Sequence, residues 1–159
     1  MFVRHATLED VEAFVAVVAA VAEEGRWIAI EPPVDVDAFA LRVRRRLSDG
    51  EALFVLDVGG RIVGTLVLHA THAGGVVSLG MSILQDHRGR GGGRALLEAA
   101  IEHARGASNH KIELEVWPDN DRAIALYTAF GFEVEGVRRD HYRRRDGSLR
   151  SSQIMALLL

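Results

Sequence analysis

The chain contains no cysteine among its 159 residues. A disulfide framework, a thiolate zinc site and a cysteine nucleophile are all excluded, and the composition suits a reducing compartment, so a cytoplasmic location is expected. No long membrane-spanning run is present: the apolar stretch from Val11 to Ala22 is too short to cross a bilayer and is broken by Glu12. A membrane is therefore not expected as a partner. The opening Met-Phe-Val-Arg-His runs straight into structured-looking sequence, and no signal peptide is expected. Charge of one sign is also lacking, since the net charge is −3, and no nucleic-acid partner is expected from global electrostatics. No Lys-Ser or Lys-Thr pair occurs, which excludes the mononucleotide P-loop.

What is present argues for one folded unit spanning residues 1–159. Hydrophobic residues make up 48 %, too many for a disordered chain, and the length is that of about one domain with a proper core. The pattern is α/β. Phe2 to Ala6 reads as a strand. Thr7 and Asp10 open a helix whose inward stripe is Val11, Phe14, Val15, Val18 and Val21 or Ala22, and whose alanines suggest cover on more than one side. Gly25 ends it and Pro32-Pro33 blocks any continuation. Asp35 caps a second helix through Leu47, with Val36, Phe39, Val43 and Leu47 facing inward. Ala52 to Val58 and Arg61 to Ala70 form a hairpin about Gly59-Gly60. Further strands are expected at Val76 to Ile83, Lys111 to Trp117, Phe132 to Arg138 and Arg150 to Leu158, with helices after Gly93 and after Asn120.

The most informative stretch lies between the Val76 strand and the third helix. Gly89, Gly91, Gly92 and Gly93 are interleaved with Arg88, Arg90 and Arg94. Glycine lets a backbone approach a ligand closely, the first N–H groups of a helix have no internal partner, and the arginines add full positive charge. The arrangement suits a phosphate or pyrophosphate. A dinucleotide fingerprint fails, because the sixth position counted from Gly89 is Arg94 and from Gly91 is Leu96.

What fits is Arg88-x-x-Gly91-x-Gly93, which resembles the pyrophosphate loop of the GNAT superfamily of N-acetyltransferases. A second stretch, Asn120-x-x-Ala123-x-x-Leu126-Tyr127-x-x-x-Gly131-Phe132, resembles another signature of the same family. Two motifs in the right order on the expected elements are more specific than either alone. The resemblance implies a mixed, mostly antiparallel central sheet flanked by about four helices, and acetyl-coenzyme A as cosubstrate with no metal. It implies cofactor contacts from Met81, Ser82 and Ile83 to the pantetheine arm, from Arg88, Gly89, Arg90, Gly91, Gly92, Gly93 and Arg94 to the pyrophosphate, and from Asn120 further along. His69 and His72 lack a third convergent ligand.

Acyl transfer from a thioester to an amine needs a neutral amine, a polarised carbonyl and a protonated leaving thiolate. Tyr127 is expected as the general acid, because a phenol with a pKa near 10 is roughly matched to a thiol. Its competing role is packing, in a stripe with Ala123, Leu126 and Phe130. Glu115, between Leu114 and Val116, is expected as the general base, with Glu31 and Asp86 as alternatives; its competing role is a solvated strand carboxylate. From Leu114 onward the chain resembles ribosomal-protein alanine N-acetyltransferases. Trp27, Ile28 and Glu31-Pro32-Pro33 instead resemble phosphinothricin and amino-acid N-acetyltransferases, which implies acceptor contacts at Trp27 and Glu31. The expected acceptor is a small-molecule amine, the alternatives being a protein N-terminus or a non-catalytic acyl-CoA-binding module, and self-association as a homodimer stays open. The arginines around Asp146-Gly147 are expected to be a solvated edge.

Overall fold

The computed structural model describes all residues, Met1–Leu159. In chain order it contains β1 (Phe2–His5), α1 (Val11–Glu23), α2 (Val36–Ser48), β2 (Ala52–Val58), β3 (Arg61–Ala70), β4 (Val76–Ile83), α3 (Gly92–Gly106), β5 (Lys111–Val116), α4 (Asp121–Ala129), β6 (Glu133–Arg143) and β7 (Leu149–Leu158). The strands form one seven-stranded sheet in the order β1-β2-β3-β4-β5-β7-β6. Every neighbouring pair is antiparallel except β4 and β5. A parallel pair needs a crossover, and α3 supplies it.

The centre of the sheet is buried on both faces because its strands alternate between two cores. Phe54 and Leu56 of β2 join a core with Leu96, Leu97, Ala100 and Ile101 of α3. Leu53 and Val55 turn the other way, onto Phe14, Val15 and Val18 of α1. The expected stripe of α1 is buried throughout, but Ala16 and Ala20 face outward, so the helix is not covered all round. Small side chains there expose little apolar area. Asp35 caps α2 as expected, its Oδ1 accepting from the Ala38 N–H at 2.9 Å. The inward stripe of α2 is narrower than the sequence suggests: Val43 is fully buried and Val36 is half exposed. The reason is that α2 packs chiefly on α1 rather than on the sheet. Phe132 belongs to the core rather than to β6; its N–H bonds the Tyr127 carbonyl at 3.1 Å and closes the end of α4.

The feature that creates a site is a splay in the sheet. β4 and β5 pair only from Val76–Lys111 to Leu79–Leu114. Beyond that point β4 continues against β3 as far as Ile83, and β5 continues against β7 as far as Val116. The carboxyl ends of the two parallel strands therefore part, and that is where an open α/β sheet offers a crevice.

Candidate active site

A cavity of about 950 Å³ occupies this splay and runs from the glycine loop to the segment between α1 and α2. Met81, Ser82 and Ile83 form its β4 wall and Arg88, Gly89, Gly91, Gly93 and Arg94 one end, while Glu115, Asn120 and Tyr127 line it from β5 and α4 and Trp27 from the α1–α2 segment. Most of the expected site residues thus converge, although they are spread over half the sequence. Three do not line it. Gly92, the first residue of α3, is buried, Arg90 is exposed to solvent, and Glu31 is engaged elsewhere.

The glycines serve two separate ends. Gly91 is the N-cap of α3 with φ +85° and no side-chain cap. The first intrahelical bond runs from the Ala95 N–H to the Gly91 carbonyl, so the N–H groups of the first turn are left for a ligand. Gly92 and Gly93 answer to packing. A Cβ on Gly92 would lie 2.5 Å from Leu56 Cδ2, and one on Gly93 would lie 2.8 Å from Leu126 Cδ2. Gly93→Val should lower the melting temperature together with acetyl-CoA affinity, by an overpacking cost of about 1–3 kcal/mol. Denaturation and calorimetry on the same preparation check this, and an unchanged melting temperature would show that Leu126 yields freely.

The uncapped α3 terminus, flanked by Gly89 and Gly91 at positive φ, and the β4 edge freed beyond Leu79 fit the pyrophosphate and pantetheine of a coenzyme A. Arg88 is already paired in the structure. Its guanidinium is tied to the Glu24 carboxylate at 2.5 and 2.7 Å, and its Nε–H donates to the Ile83 carbonyl at 2.8 Å. It lines one end of the cavity and ties the loop to the end of α1. Asn120 caps α4, its Oδ1 accepting from the Ala123 N–H at 3.3 Å, which leaves its amide N–H₂ for the cavity.

Tyr127 is buried among core residues, and burial pushes its phenol up to about 12. The phenol is therefore less acidic than an ordinary tyrosine. Its ring leans on Phe132 with centroids 5.7 Å apart. The hydroxyl is not among the sealed, unpartnered polar atoms of the chain. The ring packs in the core, and the residue lines the cavity.

Glu115 is an exposed strand residue whose carboxylate is held by three side chains. Ser152 Oγ donates to its Oε2 at 2.6 Å and Tyr142 OH donates to the same oxygen at 3.1 Å, while Arg138 lies 2.9 Å from Oε1. These partners come from β6 and β7, and register explains them. Glu115 lies opposite Ile154, Ser152 is two residues along on the same face, and Arg138 lies opposite Ser152. Tyr142 returns to that face because four steps along β6 from Arg138 answer two along β7. Burial, more than the neighbouring Glu115, raises the Tyr142 phenol. Ser152 and Tyr142 were not singled out from sequence; nothing local marks them.

The arginines of the last hairpin are not merely a solvated edge. Arg144 Nε pairs with Glu31 at 3.2 Å and its NH1 donates to the Ala29 carbonyl. Arg145 donates to the Pro32 carbonyl at 2.6 Å, and Arg150 to the Arg26 carbonyl at 2.8 Å. Glu31, expected at the acceptor, holds the α1–α2 segment to the β6–β7 hairpin. Asp86, the other alternative base, is exposed and does not line the cavity.

A splayed sheet with an uncapped helix start, and a phenol and a carboxylate in one cavity, is an arrangement that suits an acyl-CoA-dependent acyltransferase. The model of the acetyltransferase (GNAT) family matches residues 18–132, and the chain belongs to that family. Over 97 residues it is 39 % identical to the N-alpha-acetyltransferase RimI of Mycobacterium tuberculosis, covering 54 % of this chain and 57 % of that one. The chain spans about half the length of the curated relatives it matches. The crystal structure of a ribosomal-protein-alanine N-acetyltransferase from Brucella melitensis superposes with TM-score 0.91 at 26 % identity over 100 % of both chains. A phosphinothricin acetyltransferase from Sinorhizobium meliloti, in complex with AcCoA, has the same fold, with TM-score 0.87 at 22 % identity over 99 % of this chain and 87 % of that one.

Proposed function

We propose that this protein, as a single domain over residues 1–159, transfers the acetyl group of acetyl-coenzyme A to the primary amine of a small molecule by direct attack. The thioester supplies the activated acyl group; the chain supplies position and proton handling. The α3 N-terminus and the glycine loop hold the pyrophosphate, and the freed β4 edge faces the pantetheine arm. Glu115 takes a proton from the acceptor ammonium, directly or through water, and Tyr127 presents its O–H to the leaving sulfur. No protein nucleophile is needed.

The observation that favours a small acceptor is the roof. Trp27, Ile28, Ala29 and Ile30 line the cavity, and hydrogen bonds from Arg144, Arg145 and Arg150 stitch that segment to the β6–β7 hairpin. An extended peptide would have to pass between two segments that are joined. The second reading, acetylation of a protein N-terminus, is favoured by the relatives with that activity in their names.

A thiol-release assay with a panel of free amino acids and small amines, run beside a peptide with an N-terminal alanine, decides between them. The expected result is faster turnover of a small amine. Faster turnover of the peptide would transfer the assignment to the protein acceptor, and no thiol release with any amine would leave a non-catalytic acyl-CoA-binding module.

A further inference from the structure

Glu24 ends α1, far in sequence from the glycine loop, yet it joins that loop to the roof of the cavity. Its carboxylate accepts two hydrogen bonds from the Arg88 fork, and its Oε2 also accepts from the Trp27 indole N–H at 2.9 Å. Only about a fifth of either side chain of the ion pair is exposed, at 22 % for Glu24 and 17 % for Arg88, so solvent screens the pair weakly. The Arg26 guanidinium lies over the Trp27 ring at 4.3 Å, which holds the indole from its other side.

We propose that Glu24 is a positioning residue that couples occupancy of the phosphate loop to the shape of the acceptor wall, through Arg88 on one side and Trp27 on the other. This rests on the coenzyme A reading of the glycine loop. Arg88 has five N–H donors in a fixed fork, and three of them are committed to Ile83 and Glu24. A phosphate arriving at the neighbouring N–H groups competes with Glu24 for the positive charge of Arg88. The Glu24 carboxylate is then less neutralised and accepts more strongly from the Trp27 N–H. The indole is held harder, and Ile28 to Ile30, tied down at their far end by the hairpin arginines, are ordered between two fixed points. Cofactor binding thus prepares the acceptor site, and by linkage acceptor binding tightens the cofactor by the same factor.

The test titrates coenzyme A into the wild-type protein and into Trp27→Phe, Glu24→Gln and Arg88→Lys, following tryptophan fluorescence and binding heat together. Wild type is expected to show binding heat and a fluorescence change. Trp117 also lines the cavity, so Trp27→Phe should keep the heat and lose only the part of the change that Trp27 reports. Glu24→Gln and Arg88→Lys should bind coenzyme A while losing most of that part, the lysine variant because a point charge cannot hold the carboxylate by a fork. With an amine that turns over, Glu24→Gln should raise the acceptor KM about tenfold and alter kcat far less, within the usual range of coupling between sites. Heat without a Trp27-dependent signal in wild type, a full signal in Glu24→Gln, or an unchanged acceptor KM would each overturn the coupling while leaving the cofactor reading intact. An absence of binding heat in wild type would overturn both.

Discussion

Replacing Tyr127 by phenylalanine is expected to lower kcat about 10²–10⁴-fold, the range usual for loss of a general acid. The substitution removes one oxygen and retains the ring that packs on Phe132. If the residue only filled the core, turnover would survive, since loss of an unpaired hydroxyl costs little stability. Acetyl-CoA affinity should change much less than kcat, because the lost interaction forms as charge develops on sulfur. The raised pKa, about 12, bears on this directly. Burial disfavours the phenolate, so the proton stays on oxygen through neutral and mildly alkaline pH. The same burial disfavours the leaving thiolate and raises its affinity for a proton, so donor and acceptor move in the same direction. The alkaline limb of the pH–rate profile should therefore not report Tyr127 below about pH 10. A near-normal kcat in Tyr127→Phe, or a loss that tracks a lower melting temperature, would remove the acid role and leave the fold and cofactor reading in place.

Glu115→Gln is expected to lower kcat by a comparable factor at neutral pH, about 10²–10⁴-fold, and its pH dependence separates two explanations. If Glu115 removes the proton of an acceptor ammonium, the defect should be largest at low pH. It should shrink as pH approaches the amine's own pKa, where the acceptor arrives already neutral. If Glu115 instead serves as the partner of Arg138, 2.9 Å away, the defect should be independent of pH and should be reproduced by Arg138→Gln. Ser152→Ala gives the complementary reading. Its hydroxyl donates to the carboxylate at 2.6 Å, so its loss should leave the carboxylate in place but less well oriented, with a smaller fall in kcat and little change in stability.

Much of the fold was legible because the signals were local. The period-two run of β4, the Gly59-Gly60 turn that joins β2 and β3, the Asp35 and Asn120 caps and the Gly131 stop all lie within a few residues of the structure they specify. The site was legible in part. Tyr127, Glu115, Asn120 and the glycine loop follow from spacing and from the family resemblance, and they do converge on one cavity. The roles of individual glycines did not follow, because the atoms a Cβ at Gly92 or Gly93 would meet belong to Leu56 and Leu126. The arginine-rich hairpin looked like a solvated edge because its partners, Ala29, Glu31 and Pro32, lie more than a hundred positions earlier.

The amino-acid sequence by itself determined the α/β class, the strand–glycine loop–helix unit and the residue types available for acyl transfer, since each depends on backbone angles, periodicity or side-chain chemistry within a short window. Only the tertiary structure decided three things. Pairing of β4 with β5 stops at Leu79 and Leu114, and a cleft opens there. Glu115 is held by residues of β6 and β7 through register. Arg88 is given to Glu24 rather than to solvent. The physical reason is common to all three: which strand ends part and which charges meet is set by the relative placement of elements distant in the chain, and no pattern within any one of them encodes its partner.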